Sequence, residues 1–250
     1  MRRLFDVSKP WLNRVIERQP RTFLTAVADV DFEIEEGSVY ALVGESGSGK
    51  STIGKMVVGL TGATDGTIEI DGIVITNNNE KAKISEARQK LQMIFQDPYA
   101  SLNPRWKVRE IIAEPAKLRG FDIQGLSERL LQQVGLSPED ADKYPHEFSG
   151  GQRQRICIAR ALSSEPKVIV CDEPTSALDV SVQSQVLNLM SDLQEQLGLT
   201  YLFISHDLTV VEHMADKIGV LYLGALVEEA PKETLFASPL HPYTRMLFDA

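Results

Sequence analysis

The feature that most constrains this chain is a glycine-rich loop at residues 44–51, Gly-Glu-Ser-Gly-Ser-Gly-Lys-Ser, which follows an apolar run at residues 39–43. The run predicts a buried β-strand, so the loop should lie at a strand end. Glycines let backbone N–H groups face phosphate, Lys50 can reach the β and γ oxygens, and the Ser51 hydroxyl suits Mg²⁺. The loop therefore predicts a site for ATP or GTP. Its residues are Gly44, Glu45, Ser46, Gly47, Ser48, Gly49, Lys50, Ser51 and Thr52.

Length and charge limit the remaining possibilities. The chain has 250 residues, 43% of them hydrophobic, which is enough for one large domain or for a domain with a subdomain. A net charge of -9 argues against a nucleic-acid partner, because binding a phosphate backbone requires a dense basic face. We find no apolar run of about 18 residues and no signal core, so the chain should stay in the cytosol. Cys157 and Cys171 have aliphatic neighbours and should be buried reduced thiols.

Hydrophobic periodicity predicts an α/β core. Residues 26–34 and 68–71 alternate apolar with polar side chains, which predicts an antiparallel sheet with one wet face beside the loop. Continuous apolar runs at residues 168–171 and 201–204 predict strands of a parallel sheet, and a helical pattern between them ends at Gly198. The stretch from about 97 to 144, interrupted by four prolines including Pro115, predicts short inserted helices.

Two further segments carry nucleotide chemistry. The strand at residues 168–171 runs into Asp172 and Glu173. An acid at a strand end can hold Mg²⁺, and a second acid beside it can orient or deprotonate the water that attacks the γ-phosphate. We assign Asp172 to the metal and Glu173 to the water. A Ser-Gly-Gly-Gln turn at residues 149–152 opens a helix and predicts a second anion site.

At this point the chain resembles the ATP-binding-cassette (ABC) ATPases. Residues 148–152, Phe-Ser-Gly-Gly-Gln, stand where that family has its Leu-Ser-Gly-Gly-Gln signature, and the Leu-to-Phe departure leaves the phosphate-facing residues intact. Gln96 matches the Q-loop glutamine, residues 176–179 the D-loop, and His206 the switch histidine. The resemblance implies one ABC ATPase domain over residues 1–250: an α/β P-loop NTPase fold with a parallel-sheet core, an antiparallel β subdomain and a helical subdomain inserted at about 97–155.

The resemblance also implies a composite nucleotide site. In this family two cassettes pair head to tail, so that the phosphate loop of one and the signature of the other enclose each ATP. The residues expected to contact ATP across such a dimer are Ser149, Gly150, Gly151, Gln152 and Asp179. Gln96 is expected at Mg²⁺ and in the catalytic site, and His206 at the γ-phosphate. An aromatic ring should stack on adenine; Phe5 is the first choice and Trp11 the second.

A narrower resemblance is to the oligopeptide, dipeptide and nickel importer ATPases, and within them to the second ATPase subunit. It is carried by residues 95–104, 144–149 and 238–244, the last with the sequence Ser-Pro-Leu-His-Pro-Tyr-Thr. Many members of that group continue into a cysteine-containing tail, whereas this sequence stops at Ala250; it is either a short member or a piece of a longer chain.

This second resemblance implies an ATPase that drives import of peptides, or of a related small solute, from the cytoplasmic face of the membrane. The expected partners are a second ABC ATPase subunit, in a homodimer or heterodimer, two permease subunits and, indirectly, an extracytoplasmic solute-binding protein. We expect the permease contact beside Gln96. Its residues would be Tyr99, Leu102, Pro104 and Arg105; the alternative is that these residues pack the inserted helices onto the core of the chain itself. The alternatives are a soluble ABC ATPase that remodels a macromolecular assembly and a nucleotide-binding regulator without hydrolysis.

Overall fold

The computed structural model describes residues 1–6, 23–75 and 81–249. The strands are β1 (Arg3–Asp6), β2 (Phe23–Val27), β3 (Val39–Val43), β4 (Ile68–Ile70), β5 (Ile73–Ile75), β6 (Leu91–Ile94), β7 (Val168–Asp172), β8 (Thr200–Ile204), β9 (Lys217–Tyr222) and β10 (Ala225–Pro231). The helices are α1 (Lys50–Val57), α2 (Lys81–Gln89), α3 (Pro98–Ser101), α4 (Val108–Leu118), α5 (Leu126–Gln133), α6 (Gly150–Leu162), α7 (Val180–Leu197), α8 (Leu208–Met214), α9 (Lys232–Ala237) and α10 (Pro242–Phe248). Two 3₁₀ turns, Pro138–Asp142 and Pro145–Glu147, lie between α5 and α6. Trp11 falls outside the described residues.

A six-stranded sheet forms the centre of the molecule, in the order β10-β9-β3-β8-β7-β6. Its strands are parallel except for β10, which is antiparallel to β9. Every residue of β3 and β8 is buried, as expected for strands covered on both faces. The strands predicted at residues 168–171 and 201–204 are confirmed, and α7 ends at Gly198 in a left-handed conformation.

The antiparallel part is smaller than the alternation at residues 26–34 predicts. Strand β1 pairs with β2, and β4 pairs with β5, but the β2 ladder ends at Val27. Asp29 then takes a left-handed φ of 47°, and the extended chain beyond it contacts the amino terminus, where Val30 N–H donates to the Met1 carbonyl at 3.1 Å. Burial still alternates along residues 28–34. The period of two therefore correctly identified the side chains that face the core, although the β2 ladder does not extend to them.

The inserted helices pack on one side of the sheet and share a buried cluster with α6 and α7. The short helices predicted between residues 97 and 144 are present, but one of the four prolines, Pro115, lies inside α4 and does not end it. Proline removes one N–H there, but the Pro115 carbonyl still accepts from Arg119 N–H at 3.3 Å, so the helix continues to Leu118.

Leu102 corrects another expectation. Leu102 does not belong to the proposed permease surface, because it is only 2% exposed and lies in the buried cluster that includes Phe148; for this residue the alternative of core packing holds. The chain leaves α3 in an extended conformation at Leu102, which turns this apolar side chain inward. Tyr99, Pro104 and Arg105 are exposed, as expected.

Cys157 and Cys171 are buried and form no disulfide, as predicted. Burial raises the pKa of both thiols. Within the ranges that the structure describes, no helix combines the length and apolar character needed to cross a membrane.

Replacing Leu102 should destabilise the isolated protein. Leu102→Ala removes buried methyl groups and leaves a cavity, so we expect the free energy of unfolding to fall by about 2–5 kcal/mol. Urea denaturation of the purified chain measures this change. Arg105→Ala, three residues away on the exposed surface, is the control and should change it by no more than about 0.5 kcal/mol. Equal stability of the Leu102 variant and wild type would contradict the packing described here.

Candidate functional site

A cleft of about 580 Å³ opens at the carboxyl end of the parallel strands. Its walls come from the antiparallel ribbon β1–β2, the loop at residues 44–51 and the segments that follow β6, β7 and β8. The lining residues are Phe5, Leu24, Ala26, Ser46, Gly47, Gly49, Lys50, Ser51, Thr52, Gln96, Glu173 and His206. The cleft therefore unites residues that the sequence distributes over 200 positions.

The glycine loop is held closely by its neighbours at two positions. A Cβ on Gly44 would lie 2.1 Å from the Leu221 carbonyl oxygen, and one on Gly49 would lie 2.4 Å from that of Ala26. Both glycines also have a positive φ, 144° and 107° respectively. Only glycine satisfies both conditions at these positions. The loop path is therefore fixed by close backbone contacts at both of these positions.

Lys50 begins α1 and is 5% exposed. Its Nζ donates to the carbonyl oxygens of Gly44 at 2.6 Å and Glu45 at 2.9 Å. Burial lowers the pKa of Lys50, while the carboxylates of Glu173, Asp172 and Glu45 oppose that shift. A lysine held against loop carbonyls at the edge of an anion cradle suits phosphate, whose charge would favour its protonated form.

Ser51 and Asp172 form a pair of oxygen ligands. The Ser51 hydroxyl donates to Asp172 Oδ1 at 2.7 Å, and Asp172 is buried at the end of β7. Burial raises the pKa of Asp172, whereas the Ser51 hydrogen bond and the charges of Lys55 and Lys50 oppose the rise. A hydroxyl beside a carboxylate fits Mg²⁺. The described part of the chain contains no cluster of three or more His, Cys, Asp or Glu side chains that could bind a metal, so such an ion would also need phosphate and water ligands.

Glu173 is the meeting point of the polar side chains in the cleft. Gln96 Nε2 donates to Glu173 Oε2 at 2.9 Å, and His206 Nδ1 lies 3.1 Å from Glu173 Oε1. Glu173 has a left-handed φ of 48°, an uncommon conformation for a residue with a side chain, and its N–H donates to the Ile204 carbonyl at 2.9 Å. The structure thus brings together the three residues predicted for catalysis.

Phe5 lies at the ribbon side of the cleft together with Leu24 and Ala26. The Arg3 guanidinium lies 4.7 Å from the centre of the Phe5 ring. No motif in the sequence marks Leu24 or Ala26, and only the pairing of β1 with β2 brings them to Phe5. These side chains form an apolar wall of the cleft.

The signature turn lies elsewhere on the chain. Ser149 caps α6: its hydroxyl accepts from Gln152 N–H at 3.4 Å, while Gln152 Oε1 accepts from Ser149 N–H at 3.0 Å. Asp179 occupies the cap position before α7. Among the described residues that line the cleft, none belongs to the signature or is Asp179.

The signature helix and α7 touch through a glycine. A Cβ on Gly151 would lie 2.3 Å from Cγ1 of Val182, in the first turn of α7. Gly150 is less crowded, since its Cβ would lie 3.5 Å from Leu178. The signature helix therefore packs closely against the first turn of α7, just after the D-loop.

The sequence did not single out Tyr243 or Gly224 as site residues, yet both bond to the phosphate loop. The Tyr243 hydroxyl accepts from Glu45 N–H, and Gly224 N–H donates to the Ser48 carbonyl, both at 2.9 Å. Tyr243 lies in the motif at residues 238–244, which indicated a family resemblance but no role at the nucleotide site. A left-handed Leu223 next to Gly224 is a turn that no sequence pattern marked.

Comparison with known proteins agrees with this architecture. Residues 27–176 match the family model described as ABC transporter. The oligopeptide transport ATP-binding protein OppF of Bacillus subtilis (strain 168) is 52% identical over 92% of this chain and 77% of its own length. The putative oligopeptide transport ATP-binding protein YkfD of the same organism is 49% identical over the whole chain and 77% of its own length.

Solved structures give the same result. The ATP-binding cassette MJ0796, a dimer in a post-hydrolysis state bound to ADP and Pi, has a TM-score of 0.78 and 28% identity, covering 92% of this chain and 96% of its own. The cbiO1 protein from Clostridium perfringens, part of the ABC transporter complex cbiONQ, has a TM-score of 0.77 and 28% identity, covering 86% of this chain and 85% of its own. The chain therefore belongs to the ABC transporter family and has the fold of its ATPase domain.

Proposed function

We propose that this chain binds ATP with Mg²⁺, hydrolyses it and thereby drives import of peptides, or of a related small solute, through a separate membrane permease. The observation that carries this proposal is the convergence of Gln96, Glu173 and His206 beside the phosphate loop. The names of OppF and YkfD support peptides as the transported class, and they favour transport over remodelling of a soluble assembly.

Phosphate binding falls to the loop at residues 44–52. Its N–H groups and Lys50 hold the β- and γ-phosphates, and Lys50 leaves the Gly44 and Glu45 carbonyls to do so. Mg²⁺, when bound, neutralises charge on the phosphate oxygens; Ser51, Asp172 and Gln96 are the residues that would hold it. Phe5 stacks on adenine at the apolar wall of the cleft.

Hydrolysis requires a water in line with the γ-phosphate. Glu173 orients that water and takes its proton through a lone pair of its carboxylate. Both oxygens of Glu173 are engaged by Gln96 and His206 in the structure described here. We infer that these two side chains turn to the nucleotide when ATP binds, His206 to the γ-phosphate and Gln96 to the metal.

The site is completed by a second ATPase subunit. Among the described residues that line the cleft, none belongs to the signature, whereas Ser149 and Gly150 are exposed at the N-terminus of α6. The dimeric MJ0796 structure bound to ADP and Pi supports pairing. Ser149, Gly150, Gly151, Gln152 and Asp179 of one subunit would then contact ATP held by the other.

Permease binding is proposed on the helical subdomain, residues 97–155, within a single domain that spans residues 1–250. Tyr99, Pro104 and Arg105 are exposed next to Gln96, and the Arg153 guanidinium of the signature helix lies 5.2 Å from the centre of the Tyr99 ring. A nucleotide-driven shift of Gln96 therefore has a short route to this surface. Two permease subunits on the cytoplasmic face of the membrane, with an extracytoplasmic solute-binding protein acting through them, complete the proposed assembly.

Removing the carboxylate of Glu173 should separate binding from hydrolysis. We expect Glu173→Gln to bind ATP with unchanged affinity and to hydrolyse it about 10²- to 10⁴-fold more slowly, because the amide cannot accept the proton of water. Phosphate release and equilibrium binding measure the two effects. Glu165→Gln is a matched control, since Glu165 also has a left-handed φ but lies outside the cleft. Near-normal turnover of Glu173→Gln would assign the base elsewhere.

Mixing two inactive variants should test the composite site. Lys50→Ala loses phosphate binding, whereas Ser149→Asp keeps a helix-capping side chain but sets negative charge against phosphate. A mixed dimer has one doubly defective and one intact site, so a 1:1 mixture should recover about a quarter of wild-type activity, since about half of random dimers are mixed.

Ser149→Asn is the control, because it is neutral and also caps a helix; it should retain far more activity than Ser149→Asp. Absence of recovery in mixtures proven to contain mixed dimers would contradict the two-subunit site. If the mixture shows no recovery but the wild-type chain becomes fully active when a sister ATPase is added, the functional dimer is an obligate heterodimer.

Substitutions on the proposed permease surface should weaken recruitment to the membrane without reducing ATP hydrolysis. The double variant Tyr99→Ala/Arg105→Glu should bind permease-containing vesicles at least about tenfold more weakly, because it loses an anchor ring and reverses a charge. Basal ATP hydrolysis should stay within about twofold of wild type. Leu118→Ala, which removes an 85% exposed leucine at the end of α4, is the control. Unchanged co-sedimentation with the vesicles would place the contact elsewhere.

A further inference from the structure

A hydrogen bond joins the carboxyl-terminal helix to the phosphate loop. Tyr243, in the first turn of α10, is 6% exposed, and its hydroxyl oxygen accepts from Glu45 N–H at 2.9 Å. Glu45 is the second residue of the loop, 198 positions away along the chain. The contact is thus a tertiary bond to the element that cradles phosphate.

The Glu45 residue is held from two sides. Its N–H donates to Tyr243, and its carbonyl accepts from Lys50 Nζ at 2.9 Å. Because a peptide unit is planar, fixing these neighbouring groups limits how the loop backbone can rotate between Gly44 and Ser46. Tyr243 therefore constrains the backbone that positions Lys50.

Tyr243 is itself fixed in place. Its ring centre lies 4.2 Å from that of Tyr222 on β9. The segment before it is held by Glu228 on β10, whose carboxylate accepts from Leu240 N–H at 2.7 Å and from His241 N–H at 2.9 Å. The His241 ring then caps α10 by accepting from Tyr243 N–H at 3.2 Å.

Glu228 remains charged in this arrangement. Burial alone would raise the pKa of Glu228, but the hydrogen bonds from the backbone N–H groups of Leu240 and His241 help to lower it. An ionised carboxylate is the stronger acceptor for the two N–H groups. The start of α10 is consequently a rigid support for the tyrosine.

Packing explains the ring of Tyr243 but not its hydroxyl. The ring belongs to an apolar cluster with Val43 and Val220, in which phenylalanine would serve equally well. The hydroxyl adds only the bond to Glu45. A polar atom placed at a single backbone donor of the phosphate loop indicates a role in shaping that loop.

We propose that Tyr243 is a positioning residue for nucleotide binding, holding the Glu45 backbone in the orientation that lets the loop accept the β- and γ-phosphates. The inference rests on the proposed ATPase function. By this proposal, the His-Pro-Tyr segment at residues 241–243 acts on the nucleotide site of its own subunit. It acts through the phosphate loop and does not contact ATP.

The test compares Tyr243→Phe with Tyr222→Phe in the full chain. Both variants remove one hydroxyl from the same aromatic pair, but only the first removes a bond to the loop. For Tyr243→Phe we expect the Kd of MgADP and the KM of MgATP to rise about 5- to 10-fold, the loss associated with one hydrogen bond, with kcat changed by less than about twofold. Tyr222→Phe should match wild type in all three.

Amide hydrogen exchange at Glu45 tests whether the bond to Tyr243 protects this N–H, and it separates a local loss of that bond from a general loss of stability. Exchange of this one N–H should accelerate at least about tenfold in Tyr243→Phe, while amides of β3 and β8 keep wild-type protection. Glu228→Gln keeps the tyrosine and weakens its support, so it should shift the Kd in the same direction by a smaller factor.

Three results would overturn the proposal: unchanged Kd and KM in Tyr243→Phe, equal losses in both tyrosine variants, or faster exchange throughout the sheet as well as at Glu45. Failure of the proposed ATPase function would give a result different from all three. In that case wild-type protein would not bind MgADP, whereas the exchange at Glu45 would still report whether Tyr243 holds the loop.

Discussion

The parallel alignment of β3, β8, β7 and β6 is the constraint on which the site depends. Inside such strands the backbone donors and acceptors pair with one another, so the side chains available for chemistry are those just beyond the carboxyl ends. The phosphate loop follows β3, Asp172 ends β7 with Glu173 just beyond it, His206 follows β8 and Gln96 follows β6. Reversing any one of these strands would place its residue at the opposite edge, about 15 Å away for a five-residue strand.

The phosphate loop is shaped by parts of the chain that the loop motif does not include. Ala26 of β2 lies against Gly49, Leu221 of β9 lies against Gly44, and Gly224, between β9 and β10, donates its N–H to the Ser48 carbonyl. A loop cut out of this setting would have the same glycines but many more conformations, because glycine costs the most backbone entropy to fix. The preformed cradle is therefore a property of the whole fold.

Local signals predicted much of this structure, and contacts between distant segments account for what they missed. Continuous apolar runs and the end of α7 at Gly198 depend on neighbouring residues, so the sequence located them correctly. The end of the β2 ladder at Val27 depends on where the amino terminus lies, and the burial of Leu102 depends on the helices that cover it. The meeting of Gln96, Glu173 and His206 followed from parallel strand order, whereas the bond from Tyr243 to Glu45 required the placement of α10.

The contact between Gly151 and Val182 changes how variation at the signature can be interpreted. Any side chain at 151 must displace Val182, so a damaging substitution there reports crowding between α6 and α7 before it reports anything about nucleotide. A smaller residue at 182 would relieve that crowding and expose the remaining effect. A substitution at 151 paired with a smaller residue at 182 should therefore be better tolerated than the same substitution alone. Tolerance at the signature is thus set in part by a valine outside it.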